Sequence, residues 1–212
     1  MKKIIPAILT NDVEDLKNKL EQLAGLVDWV QIDFMDNIFV PNQSIGVAEL
    51  KQVSHAFNLE AHLMVEQPEK YFHDCLEAGF KRVIFHVECC PDLDFIFKEA
   101  ASYDFEIGMA LNPETPLEHV LPYLNKVKMV LFLTVHPGFQ GQEFIVEVLD
   151  KVKSLKESHP EILLAIDGGL TLENIQLAAS SGADYLCVGS GVFKKGEVKE
   201  NLKQLNEAIK DY

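Results

Sequence analysis

The sequence predicts an α/β fold, a single closed (β/α)₈ barrel domain over residues 1–212, and three observations carry that prediction. Eight short β-rich apolar runs alternate with longer amphipathic stretches, and the starts of the runs lie 25, 30, 23, 23, 24, 33 and 23 residues apart. Most of the runs are continuously apolar rather than alternating, as parallel strands covered on both faces are. The turn after the first run is Thr10-Asn11-Asp12 rather than a glycine-rich dinucleotide loop, so the near-regular repeat favours closure over an open doubly wound sheet. The chain is shorter than the usual barrel of about 250 residues, so its loops are expected to be short.

The predicted strands are Ile4 to Leu9, Trp29 to Met35, Leu59 to Val65, Arg82 to Val87, Phe105 to Leu111, Met129 to Val135, Ile162 to Ile166 and Tyr185 to Val188. Asn11 or Asp12 can cap a helix that places Val13, Leu16, Leu20 and Leu23 on one face, and Gly25 stops it. Pro68-Glu69 suits the first turn of a helix through Tyr71, Phe72, Cys75 and Leu76 that ends at Gly79. Thr171 to Asn174 opens another that ends at Gly182, and the last runs from about Glu197 to Lys210 with Val198, Leu202 and Leu205 inward.

Composition narrows the function. Hydrophobic residues make up 48% and charged residues 25%, which is ordinary globular usage. A formal charge of −14 offers no electrostatic footprint for nucleic acid and is repelled by anionic lipid, so neither is an expected partner. Any anionic substrate must then be held locally, by backbone amides or a metal. No apolar run approaches the roughly 18 residues of a membrane span, and Cys75, Cys89, Cys90 and Cys187 form no zinc-type pair. They read as reduced thiols, buried small hydrophobes at Cys75 and Cys187, and the expected location is cytoplasmic.

In such a barrel, chemistry collects at the C-terminal ends of the strands. Asp33 lies within the apolar VQIDFMD, and Asp167 ends ILLAID. An unpaired carboxylate in a barrel mouth costs several kcal/mol, whereas two of them across a pocket suit a two-base proton transfer at one carbon. His62 on the third strand, beside Asp33, makes a third ligand for zinc or a similar divalent ion, which would polarise a carbonyl. His86, on the next strand, reads equally as a ligand neighbour or a structural residue. The glycines after strands six, seven and eight (Gly138 and Gly141, Gly168 and Gly169, Gly189 and Gly191) suggest a phosphate cradle of backbone amides. The sole arginine, Arg82, starts strand four at the opposite end.

VQIDFMDNIFVPNQSIG, AHLMV, FHVE, LNPETP, TVHPGFQGQ, IDGGL and VGSGVF follow one another in the order and spacing of the ribulose-phosphate 3-epimerases, and the chain resembles that family along essentially its whole length. The resemblance implies a TIM barrel of the ribulose-phosphate-binding type, an isomerase of carbohydrate metabolism that interconverts D-ribulose 5-phosphate and D-xylulose 5-phosphate by inverting C3. It implies that Asp33 and Asp167 act as acid and base, and that Asp33, His62 and Asp167 hold a divalent cation (Zn, Fe, Mn or Co). It assigns His62, the loop Gly138, Phe139, Gln140 and Gly141, and also Gly168, Gly169, Gly189 and Ser190, to the phosphorylated substrate. Met35 and Met64 match pocket-lining methionines, and assembly as a homo-oligomer is implied.

Three positions depart from the family pattern. Gln31 stands where the family has a metal-ligating histidine, Ala7 where it has a serine, and Leu133 where it has a third methionine. Gln31 offers a neutral carbonyl oxygen, a poorer zinc partner than imidazole. The alternatives are therefore a phosphosugar-binding homologue with impaired catalysis, or an epimerase of another ketose phosphate such as allulose 6-phosphate.

Overall fold

The computed structural model describes residues 2–89, 91–139, 141–194 and 196–212. Eight strands, β1 (Lys3–Ile8), β2 (Trp29–Met35), β3 (Asn58–Met64), β4 (Arg82–His86), β5 (Glu106–Leu111), β6 (Met129–Leu133), β7 (Leu163–Asp167) and β8 (Tyr185–Val188), close into a barrel in sequence order. Every neighbouring pair is parallel, including β1 with β8. Each strand is within two residues of its predicted bounds.

The connections are α1 (Val13–Leu23), α2 (Val47–Leu50), α3 (Phe72–Glu77), α4 (Leu93–Ala100), α5 (Val148–Ser158), α6 (Ile175–Ser180), α7 (Ser190–Phe193) and α8 (Val198–Ile209). Asp12 caps α1, its carboxylate accepting from the Glu14 N–H at 2.8 Å, and Leu16, Leu20 and Leu23 are buried. Three expectations are corrected. The Pro68 segment begins as a 3₁₀ turn, Pro68–Tyr71, before α3, and Leu76 faces outward. The helix expected from Thr171 starts at Ile175, because the Asn174 side chain accepts from Thr171 N–H and donates to Gly169 C=O, closing a separate turn. Between β5 and β6 the regular strand–helix alternation fails. Only 3₁₀ segments, Leu117–His119 and Leu121–Lys126, occupy that connection, where Pro113, Pro116 and Pro122 lack the N–H groups an α-helix needs.

The core has two main shells and a small separate cluster of Met35, Val40 and Met64. The larger lies between strands and helices, and the smaller fills the barrel itself with Ile5, Ala7, Ile84, Ala110, Met129, Leu131, Leu133, Ala165 and Cys187. Register explains this second set: Ala7 sits level with Gln31, Asp33 with His62, His62 with Ile84, and Asp167 with Leu133 and Cys187, so the strands turn these side chains to one face. Gly108 belongs there because a Cβ would stand 2.9 Å from Ile84 Cγ1.

At the N-terminal end of the barrel, Arg82 donates to Glu60 at 2.8 Å and to Glu106 at 2.6 Å, and its guanidinium lies 4.6 Å from the Trp29 ring centroid. Glu60 is fully buried and its Oε1 has no partner among the described residues. Burial outweighs the attraction of Arg82 and pushes the Glu60 carboxyl up to about 7. The folded chain thus keeps a proton that the unfolded chain has already lost between pH 4.5 and 7. Glu60 therefore subtracts stability as pH rises through that window, by on the order of 3 kcal/mol when the loss is complete. Urea unfolding of Glu60→Gln should show the variant gaining on the wild type by that order between pH 4.5 and 8, whereas parallel stability curves would contradict the burial argument.

Candidate active site

The C-terminal mouth of the barrel opens into a cavity of about 600 Å³, its open end included. Asp33 and Asp167 reach its floor from β2 and β7, each 8% exposed. These strands lie three apart around the ring through β1 and β8, one step short of directly opposite, and the carboxylates converge. Gln31 Nε2 donates to Asp33 Oδ1 at 2.8 Å and to Asp167 Oδ2 at 2.6 Å. His62 Nδ1 is 3.1 Å from the same Asp33 oxygen and 3.3 Å from the same Asp167 oxygen. One ligand atom from each of Asp33, His62 and Asp167 lies within 4.8 Å of the others, a geometry able to hold a metal ion.

Electrostatics follow from burial and convergence. Burial, then the neighbouring Asp167 charge, raises the Asp33 pKa above the ordinary carboxylate value. Burial opposes charge on His62, but hydrogen bonds to Asp167 and Asp33 outweigh it and push the ring up to about 9.

His86 resolves as a positioning residue. Its Nε2 is 3.0 Å from His62 Nε2, and its Nδ1 is 3.2 Å from Glu88 Oε2. Burial lowers the His86 pKa, and hydrogen bonding to His86 helps to hold Glu88 low against its own burial. An ionised carboxylate only accepts, so His86 donates through Nδ1–H and accepts at Nε2. His62 then donates from Nε2, and Nδ1 is left as the nitrogen facing the two carboxylates. Glu88 is held in turn by the Asn112 N–H at 2.8 Å and the Thr115 hydroxyl.

Of the site residues read from sequence, Ala7, Asp33, Met35, His62, Met64, Leu133, Gly138, Phe139, Gly141, Asp167, Gly168, Gly169, Gly189 and Ser190 all line the cavity. Gln31 lies beneath it, fully buried, and Gln140 lies outside the described residues. Gly168 has φ +109°, and a Cβ there would come within 2.6 Å of Val135 Cγ2. The loops of the rim are tied together, Asn42 Nδ2 donating to Gly138 C=O at 2.6 Å and Thr134 Oγ1 to Gly168 C=O at 2.6 Å. Sequence reasoning missed Leu9, Val135, Leu170 and Cys187 as lining residues. Two-residue alternation from Ala7 and Leu133 would have found the first two, and strand register with Asp167 the last.

The sequence profile described as the ribulose-phosphate 3 epimerase family matches residues 3–193. The chain belongs to this family. It is 36% identical over 216 residues to the ribulose-phosphate 3-epimerase of Methanocaldococcus jannaschii, covering 98% of this chain and 91% of the relative. It is 34% identical over 213 residues to that of Schizosaccharomyces pombe (98% and 93%), and 33% over 213 residues to that of Bacillus subtilis (97% and 98%). Solved structures share the fold at low identity. KGPDC from Streptococcus mutans superposes with TM-score 0.77 at 12% identity, covering 100% of this chain and 98% of that one. The 3-hexulose-6-phosphate synthase from Salmonella typhimurium does so with TM-score 0.74 at 15% identity (100% and 99%). Among the described residues of this ribulose-phosphate 3 epimerase family member, no helix is long and apolar enough to cross a membrane.

The tautomer assignment has a direct readout. Ring ¹⁵N shifts near neutral pH should show His86 protonated at Nδ1 and bare at Nε2, and Glu88→Ala should move it toward the opposite tautomer. An Nε2-protonated His86 in the wild type would contradict the chain of hydrogen bonds.

Proposed function

We propose that this protein inverts C3 of a ketose phosphate, interconverting D-ribulose 5-phosphate and D-xylulose 5-phosphate. The observation that carries the reading is the convergence of Asp33 and Asp167 from two strands onto one buried spot beside His62. A carbon whose two faces meet two carboxylates can lose a proton to one and regain it from the other. Asp33 takes the C3 proton in one direction and Asp167 returns one to the opposite face, with the roles exchanged in reverse. Burial, by raising the Asp33 pKa, brings that carboxyl nearer the pH at which it must both accept and release a proton.

The donor set fits a divalent cation. Two carboxylate oxygens and an imidazole nitrogen lie within reach of one another, and the His86 hydrogen bond leaves His62 Nδ1 as the ligating nitrogen. Asp33, His62 and Asp167 would hold the ion, whether Zn, Fe, Mn or Co. When bound, it supplies positive charge against the negative charge that develops on the substrate oxygens as the proton leaves.

The other residues bind and screen. Met35, Met64, Leu133 and Ala7 make an apolar wall that excludes water from the reacting carbon. Gly138, Gly141, Gly168, Gly169, Gly189 and Ser190 also line the cavity, and their backbone amides are the groups that would hold the phosphate in an otherwise acidic protein.

Incubation with ribulose 5-phosphate in deuterium oxide, with Zn, Fe, Mn or Co supplied in separate reactions, should place one deuterium at C3 and accumulate xylulose 5-phosphate. No label at C3 with any of the four ions would contradict the proposal. Label appearing only with allulose 6-phosphate would keep the chemistry and move the substrate.

A further inference from the structure

Gln31 is the buried polar side chain of the floor to which the proton transfer gives no work. Both N–H groups of its amide are committed, one to Asp33 Oδ1 at 2.8 Å and one to Asp167 Oδ2 at 2.6 Å, and Nε2 stands 3.5 Å from His62 Nδ1. The amide nitrogen therefore touches the same three side chains whose ligand atoms are gathered to hold a cation. On its other side, Gln31 Oε1 is buried with no partner among the described residues. A buried carbonyl without a donor is a cost to the fold, so the position keeps an acceptor in reserve at the expense of stability.

The two ends of a carboxamide are nearly equal in size, so a half-turn about Cγ–Cδ exchanges them without repacking a close-packed interior. Charge decides which end faces the aspartates. With no cation between them, a carbonyl oxygen turned to two carboxylate oxygens is repelled, and the NH₂ group is attracted. With a divalent cation among them both signs invert: the N–H dipoles point positive at positive, and the carbonyl oxygen becomes a ligand. The exchange gives up two hydrogen bonds to carboxylate oxygens, so loading the ion is costlier than at a site whose fourth ligand is already in place.

We propose that Gln31 is a two-sided group, its NH₂ standing in for the cation when none is bound and its Oε1 becoming the fourth ligand when one enters. The ion is then held by three oxygens and one imidazole nitrogen. That is a harder donor set than two oxygens and two nitrogens, and it shifts preference from zinc toward manganese(II). This inference rests on the cation assignment made above and adds to it the identity of the fourth ligand and the direction of ion selection.

Chelator competition with zinc(II) and manganese(II), on the wild type and on Gln31→His, tests it. The variant should bind both ions more tightly, with the zinc-to-manganese affinity ratio raised by roughly tenfold or more. An unchanged ratio overturns the inference. A second measurement needs no variant: the Gln31 side-chain NH₂ resonances of the wild type, bridging two carboxylates, should move on addition of diamagnetic zinc(II). If zinc binds and those resonances stay where they were, the inference falls while the cation assignment stands. If the wild type takes up neither ion, both fall together.

Discussion

Two carboxylates forced together out of water are the constraint around which this barrel floor is built. Each buried ion alone costs several kcal/mol, and two of like sign add their repulsion. Everything that surrounds Asp33 and Asp167 answers that cost: an amide donates to both, an imidazole lies against both, and a second imidazole and a third carboxylate fix the first ring behind them. The result is a site whose charge is balanced by short-range devices inside a protein of −14 overall.

The barrel supplies the placement. A closed parallel sheet turns every second residue inward, so Met35, Asp33 and Gln31 on β2 descend from rim to interior in one column, as do Met64 and His62 on β3. Glu60 of the Arg82 cluster sits level with Gln31 and two residues below His62 on β3, so the two polar clusters adjoin there, while apolar residues from the other strands fill the rest of the interior. The chemistry collects at the C-terminal mouth, the usual placement in this architecture.

How much of this was legible in the sequence depended on whether a residue's neighbours are local. The strands were, because continuous apolar runs bounded by turn residues need no partner to be recognised, and Asp33 and Asp167 stood out as charges within such runs. The β5–β6 connection was misread because its apolar spacing is helical although its prolines are not. His86 stayed ambiguous because its role lies in two contacts, to His62 and Glu88, and the first of these crosses strands. Cys187 passed for simple core since only the register with Asp167 turns it toward the cavity floor. Gln31 was visible as a departure from the family pattern, but its hold on both aspartates is a property of the closed barrel and not of any segment. Family membership rests on sequence similarity along the chain, and the low-identity structural neighbours add the fold alone.

The most direct test of the two-base account is solvent exchange at C3, measured separately for each epimer with Asp33→Asn and Asp167→Asn. If each acid serves one face, each variant loses epimerisation by about 10²–10⁴-fold, yet still exchanges the C3 hydrogen of one epimer, and the two variants retain opposite epimers. Loss of exchange for both epimers in both variants, or epimerisation that survives either change, would contradict it.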